Sequence, residues 1–178
     1  MILKGERVLI RYFENSDLED FFEFSKRPEV GFSAGWKPHT DYDLSRRVLH
    51  GKVLSASNFA IVLKDTQKVI GSIELNPSHI REKIRAFEIG FALNPDYWGH
   101  GYVSEATRLL MNYAFKKMNA AVLEMCHIED NIRSERVCKA VGFRYEGTLK
   151  AYKQMYDGRI VDVKLYSMTL DEYERMYL

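Results

Sequence analysis

Apolar residues recur along the 178-residue chain with two periods, two and about 3.6, and the changes between them divide it into elements. Val8, Ile10 and Tyr12 alternate with Arg7, Leu9 and Arg11, which predicts a strand from Glu6 to Phe13. Asn15-Ser16-Asp17 offers capping side chains to a helix that carries Leu18, Phe21, Phe22 and Ser25 on one side, and Pro28 is expected to end it. A second helix is expected from Thr40 or Asp41 to Leu54. Phe59–Leu63 and Val69–Leu75, joined by the polar Lys64–Lys68, read as a hairpin, and Ala86–Leu93 as a further strand. From Gly101 the period lengthens: Val103, Ala106, Leu110, Tyr113 and Ala114 share one helical face. Ala121–His127 reads as a strand and Asn131–Val141 as a short helix stopped at Gly142. The strands Phe143–Tyr152 and Ile160–Met168 flank Asp157-Gly158, a hairpin dipeptide. This order, β-α-α-β-β-β-α-β-α-β-β, implies an α/β (α+β) fold with a mixed sheet and helices on its faces. The tail Asp171–Leu178 is charged and amphipathic, and reads as a surface helix or at most a dimer contact.

Composition narrows the function classes. With no repeat, low-complexity tract or linker, residues 1–178 are expected to form one domain, and 46% hydrophobic residues supply its core. The 26 Lys and Arg nearly balance 25 Asp and Glu, so broad binding to nucleic acid is not expected. No window approaches the roughly 18 apolar residues of a membrane span, and the first residues lack a signal-peptide core. Cys126 and Cys138, without CxxC spacing, suggest a reducing cytosol, a cytoplasmic location. The five histidines show no ligand spacing, so no metal is expected.

The densest chemical signal runs from Glu88 to Ala106. A strand ends at Asn94-Pro95, Gly99 and Gly101 follow with one residue between them, and a helix begins at once. Free N–H groups and the positive end of the helix dipole make such a turn an anion site. Glycine lets the backbone come close to a phosphate. A nucleotide P-loop is excluded because no Lys-Ser/Thr pair follows the glycines. The dinucleotide reading lacks a third glycine, although Glu124 stands about where its acid would be. A coenzyme A loop and an ordinary tight turn remain.

The blocks around this segment decide between them. Gly5-Glu6-Arg7-Val8, Pro28-Glu29-Val30, Pro38-His39-Thr40, Ile70-Gly71-Ser72 and Glu88-Ile89-Gly90-Phe91 come first. Tyr97-Trp98-Gly99-His100-Gly101-Tyr102, Ser104-Glu105-Ala106, Asn131, Ser134, Gly142-Phe143 and Glu146-Gly147-Thr148-Leu149 follow. In this order they resemble the GNAT superfamily of N-acetyltransferases, in particular the branch with the ribosomal-protein alanine/serine N-acetyltransferases. The resemblance implies a mixed, mostly antiparallel sheet of about seven strands and direct transfer of acetyl from acetyl-CoA, as co-substrate, to an amine. It implies that Phe91, Ala92 and Leu93 pair with pantetheine and that the amides of Trp98, Gly99, His100, Gly101, Tyr102, Val103 and Ser104 hold the pyrophosphate. Val103 departs from the Gly/Ala usual at its place. The acceptor is expected to be a protein N-terminal α-amine or a small-molecule amine, and the chain a monomer or homodimer. A non-catalytic acyl-CoA-binding module of the same fold is the rival reading.

Proton transfer needs its own residues. An α-amine with a pKa near 7.7–8.0 is already about 10–20% neutral at pH 7, so a strong base is needed mainly for a lysine-like acceptor. Alternation puts Glu88, Gly90 and Ala92 on one strand face, where Glu88 reads either as a base beside ligand or as a carboxylate paired with a neighbour. Glu74, with Ser72 and Asn76, is a second candidate. Asn131, Ser134 and Cys138 fall on one helical stripe. Asn131 suits pantetheine or the helix cap. Where many relatives place a tyrosine acid this chain has Cys138, so Ser134 is expected to protonate the thiolate. His39 reads as a substrate contact or as part of a capping segment.

Overall fold

A computed structural model describes residues 1–178. Its strands are β1 (Ile2–Lys4), β2 (Val8–Tyr12), β3 (Asn58–Leu63), β4 (Val69–Pro77), β5 (Ala86–Leu93), β6 (Val122–Ile128), β7 (Arg144–Gln154) and β8 (Ile160–Thr169). The helices are α1 (Leu18–Ser25), α2 (Pro28–Ala34), α3 (Tyr42–Val53), α4 (Tyr102–Lys117), α5 (Ile132–Ala140) and α6 (Leu170–Tyr177). The strands hydrogen-bond in the order β1-β2-β3-β4-β5-β6-β8-β7 as one eight-stranded sheet. The sheet is mostly antiparallel, and β5 and β6 run parallel. Two compact units are distinguishable, Met1–Glu74 with Phe91–Leu109 and Leu75–Gly90 with Leu110–Leu178.

The first unit contains three departures from the sequence reading. Ile2–Lys4 adds a strand, paired through Leu3↔Ile10. The first helix does end before Pro28, at Ser25, but Pro28 also opens a helix that the sequence reading lacked, α2: Arg27 before it is extended, as residues preceding proline prefer, and proline fits the first helical position. Asn15–Asp17 forms a 3₁₀ turn in which Asp17 reaches back to the Glu14 N–H at 2.8 Å, while Arg11 grips the same carboxylate with two bonds of 2.8 Å. Asp41 does cap α3, accepting from the Leu44 N–H at 2.8 Å. Phe13, Phe21, Phe24, Leu49, Val62, Val69 and Ala92 form this unit's core.

A carboxylate ties the start of the chain to α4. Glu105 accepts the backbone N–H groups of Arg7 at 2.8 Å and Val8 at 3.1 Å on one oxygen, and Arg7 Nε at 3.0 Å on the other. A Cβ at Gly5 would lie 2.5 Å from Glu105 Oε1, so a side chain there would have to displace the carboxylate. Burial works against the charge, but the Arg7 and Val8 amides and the Arg7 guanidinium outweigh it and hold the carboxyl below its usual range.

In the second unit, Met111, Ala114 and Phe115 on α4 are buried, as are Leu123, Met125 and Met168. The tail is more than a surface helix: α6 opens with a Thr169–Glu172 capping box, and its buried Tyr173 stacks on Phe115 at 4.7 Å. The parallel register sets Glu88 beside Glu124. Glu124 is 0% exposed and is met by Arg81 Nε at 2.5 Å and Ser78 Oγ at 2.6 Å. Arg81 also pairs with Glu146, which accepts from Ser167.

Two outcomes follow from these carboxylates. Arg81→Ala leaves Glu124 buried without its cation and should cost about 3 kcal/mol of unfolding free energy, with Glu124→Gln in that background recovering part. A urea midpoint equivalent to less than about 1 kcal/mol of loss would contradict it. The folded pKa of Glu105 lies below the unfolded one, so its charge stabilises above the unfolded value, about 4.3, and that contribution is lost as pH falls through the lower folded value. Glu105→Gln should therefore flatten the acid side of a stability–pH curve.

Candidate active site

The turn predicted from the glycines forms as follows. β5 ends at Leu93, and Asn94, 1% exposed, is fixed from three sides. Its N–H donates to Ile70 O at 2.8 Å, its Nδ2 to Glu23 at 2.7 Å, and its Oδ1 accepts from the Asp96 N–H at 3.2 Å. Glu23 stays charged because, against its burial, bonds from Lys68 and Asn94 pull its carboxyl below the usual range. Pro95–Tyr97 makes one 3₁₀ turn, after which the indole of Trp98 donates to Leu93 O at 3.0 Å and closes the loop on itself.

Gly99 and Gly101 then take φ of 82° and 79°, a left-handed conformation that costs side-chain-bearing residues energy. The first intrahelical bond of α4 runs from the Glu105 N–H to Gly101 O, at 3.0 Å. The amides of Tyr102, Val103 and Ser104 therefore precede the helical ladder, where such groups have no carbonyl a turn behind them. Val103 is buried, so the valine that departs from Gly/Ala turns its side chain inward, away from the exposed Gly99–Gly101 turn. Arg7 sits beside this turn, donating to His100 O at 2.8 Å, with its guanidinium 5.0 Å from the Tyr102 ring centre. The Arg7–Glu105 pairing escaped the sequence reading, since 98 residues separate the partners.

In the same unit His39, read as a substrate contact or capping residue, and Glu74, the second base candidate, have structural occupations. His39 is buried, its Nδ1 2.7 Å from Ser45 Oγ and its ring 5.7 Å from that of Phe21. Burial holds its imidazole below the ordinary range. Glu74, opposite Asn58 in the β3–β4 register, lies within electrostatic reach of Lys52, whose ammonium donates to Asn58 at 2.8 Å.

The second unit carries Glu88, Asn131 and Ser134. Glu88 is half-buried on β5, on the face that holds Glu124 and, two residues further along β6, Cys126. Burial and then the Glu88 and Glu124 charges push the Cys126 thiol up to about 12. Asn131 caps α5, accepting from the Ser134 N–H at 3.2 Å. Ser134 is half-buried on the stripe that ends in buried Cys138 and Val141, as its spacing predicts. Burial pushes the Cys138 thiol up to about 12, so it stays protonated and is no thiolate nucleophile at neutral pH. The sequence reading missed the Ser78–Arg81–Glu124–Glu146 cluster. Its signal was a lone charge, Glu124, within the apolar run Val122-Leu123-Glu124-Met125-Cys126.

Known proteins share this fold. The family profile of the acetyltransferase (GNAT) domain matches residues 7–144. The uncharacterized N-acetyltransferase p20 of Bacillus licheniformis is 31% identical over 96% of this chain and 97% of its own. A crystal structure of a GNAT-family acetyltransferase from Bacillus anthracis, 28% identical, superposes with a TM-score of 0.85 over 97% of this chain and 100% of that one. The ribosomal-protein-S5-alanine acetyltransferase of Vibrio fischeri shares the fold at a TM-score of 0.77 and 24% identity, over 97% of this chain and 98% of that one. No helix is long and apolar enough to cross a membrane. With its profile match, full-length relatives and eight-stranded mixed sheet, the chain belongs to the GNAT family of N-acetyltransferases.

Proposed function

We propose that this chain transfers acetyl from acetyl-CoA directly to a primary amine within a ternary complex, as a single acetyltransferase domain. The observation that carries the reading is the Gly99–Gly101 turn. Two left-handed glycines deliver the chain to the N-terminus of α4, with Val103 packed inward. A Cβ at Gly99 would meet nothing within 4 Å, so the turn has room for an anion at the amides of Gly99 to Ser104, whereas the Trp98 N–H, expected from the sequence to join them, is already spent on Pro95 O at 3.1 Å. Phe91, Ala92 and Leu93, the last residues of β5, are assigned to pantetheine, and Asn131 to the same moiety through the part of its amide not used in capping. Continuity supports one domain, because β4, β5 and α4 each run unbroken from one compact unit into the other.

Acetyl-CoA supplies the acetyl group as a thioester, whose C–S bond breaks as the C–N bond to the acceptor forms. Glu88 takes the proton that the attacking nitrogen loses, and the Ser134 hydroxyl gives one to the departing sulfur. Cys138, in the place of the tyrosine acid of many relatives, is buried in the core while Ser134 is half-buried, which favours Ser134 for this step. The acceptor class is a protein N-terminal α-amine or a small-molecule amine.

Titration calorimetry should show acetyl-CoA binding to the purified chain. Thiol release should then appear with one or more members of a panel of Ala- and Ser-led peptides, polyamines, amino acids and aminoglycosides. Absence of acetyl-CoA binding overturns the proposal, and binding without turnover across the panel favours an acyl-CoA-binding module. Glu88→Gln should lower kcat about 100-fold with a lysine-like acceptor and less with an α-amine. Ser134→Ala should lower kcat about 10-fold or more with acetyl-CoA affinity unchanged. Full turnover in both variants would reassign the proton carriers.

A further inference from the structure

The glycines that let the turn before α4 close also leave it a choice of two forms. The peptide between His100 and Gly101 is trans, and in a trans peptide the C=O and the N–H share a plane and point in opposite directions. Gly101 tolerates φ of either sign, so turning this peptide over costs its own backbone little. One form offers the Gly101 N–H to an anion, as a charge-assisted donor. The other offers the His100 carbonyl oxygen, which repels it. The Gly101 N–H donates to no group of the chain, so nothing on the donor side selects the form.

Arg7 selects it from the acceptor side. Its Nη1 donates to His100 O at 2.8 Å, and its Nη2 stands 3.6 Å from where a Cβ of Gly101 would be. The guanidinium is itself fixed. Nε donates to Glu105 Oε2 at 3.0 Å, the Arg7 main-chain N–H to Oε1 at 2.8 Å, and the group lies 5.0 Å from the centre of the Tyr102 ring. The segment that carries Arg7 is fixed as well. Gly5 N–H closes on Val8 O at 2.8 Å, Lys64 Nζ donates to the carbonyls of Gly5 and Glu6 at 2.9 and 3.0 Å, and Lys64 N–H to that of Arg7 at 3.0 Å. A rigid fork of donors serves the carbonyl and the carboxylate together, which a lysine ammonium on a flexible stem does not. Glu105 matches the Arg7 charge, so what the pair brings to the turn is orientation and not a net positive charge.

We propose that Arg7 is a positioning residue for the pyrophosphate of acetyl-CoA: its bond to His100 O locks the His100–Gly101 peptide with the Gly101 N–H turned away from Arg7 and toward the anion. The proposal rests on the acetyl-CoA reading of this turn. Glu105 acts one step further back, by holding the guanidinium that holds the peptide.

The test joins calorimetry with coenzyme A to amide NMR of the isotope-labelled protein titrated with inorganic pyrophosphate. Arg7→Met should raise the Kd of coenzyme A about 10-fold or more, the loss of one bond to a charged group. Arg7→Lys keeps the charge without the fork and should recover only part of that loss. Arg7→Met with Glu105→Gln removes the pair without altering net charge, and most of the rise should persist. An unchanged Kd in Arg7→Met, or wild-type affinity in the double variant, overturns the assignment, the latter because charge balance alone would then explain the pair. Should Arg7→Met not fold, Arg7→Lys is compared in its place, with a smaller rise expected and an unchanged Kd again decisive against the proposal. Pyrophosphate should shift the Gly101 amide resonance in the wild-type protein and leave it nearly unmoved in the Arg7 variant, a difference that loss of stability alone does not produce. If the wild-type protein binds no coenzyme A, the acetyl-CoA reading fails and the pyrophosphate titration decides Arg7 by itself. No Gly101 shift in the wild type, or equal shifts in both proteins, then overturns the positioning role.

Discussion

Glu124 has no exposed surface and must be neutralised where it stands, and the unit of residues Leu75–Gly90 and Leu110–Leu178 is organised by how this is done. Taking a carboxylate out of water is tolerable only with a cation and further donors in place. Ser78 and Arg81 provide them from the segment between β4 and β5, and the Ser78 hydroxyl also accepts the Ile80 and Arg81 amides. The connection is thus pinned by its own side chains to the middle of β6. Glu146 and Ser167 extend the network to β7 and β8. One buried charge therefore ties three strands, β6, β7 and β8, to the β4–β5 connection and stands directly beside Glu88, the proposed base. Burial first, and then the Glu88 and Glu124 charges, raise the Cys126 thiol on that face.

The other unit solves a backbone problem. A strand that turns into a helix through exposed glycines has little to hold it, because glycine loses more entropy on ordering than other residues. Asn94, held by Ile70 and Glu23, fixes the beginning of the turn, the Trp98 indole closes it, and Glu105 anchors the first turn of α4 to Arg7 and Val8. These contacts leave the amides of Tyr102, Val103 and Ser104 ahead of the helical ladder. The turn is preorganised, so binding an anion there does not have to order it first.

Comparison of sequence and structure separates two kinds of information. Strands of five or more residues and the long helix were legible because burying one face imposes a period. Ala86–Leu93 was predicted with its observed bounds, and the predicted Val103, Ala106, Leu110 and Ala114 are buried. Ile2–Lys4 was not legible, since a three-residue edge strand is too short to show a period. Pro28 was read only as the end of the first helix, which does stop at Ser25; that it also opens α2 was not legible, because proline suits both the end of one helix and the first turn of the next. The occupations of His39 and Asn131 stayed open for the same reason: capping and ligand contact ask for the same polar residue types.

By itself the sequence determined the order and type of most elements, the glycine turn at the head of α4 and the family, since these depend on neighbours within a few residues or on many short blocks in order. Tertiary structure decided which charges meet. Arg7 finds Glu105, Arg81 finds Glu124, and Asp162 finds a strained Ala151, across separations that no local period records. Strand register places Glu124 and Asp162, and a shift of one residue would turn either side chain to the opposite face, while α4 places Glu105 and the β4–β5 connection places Arg81.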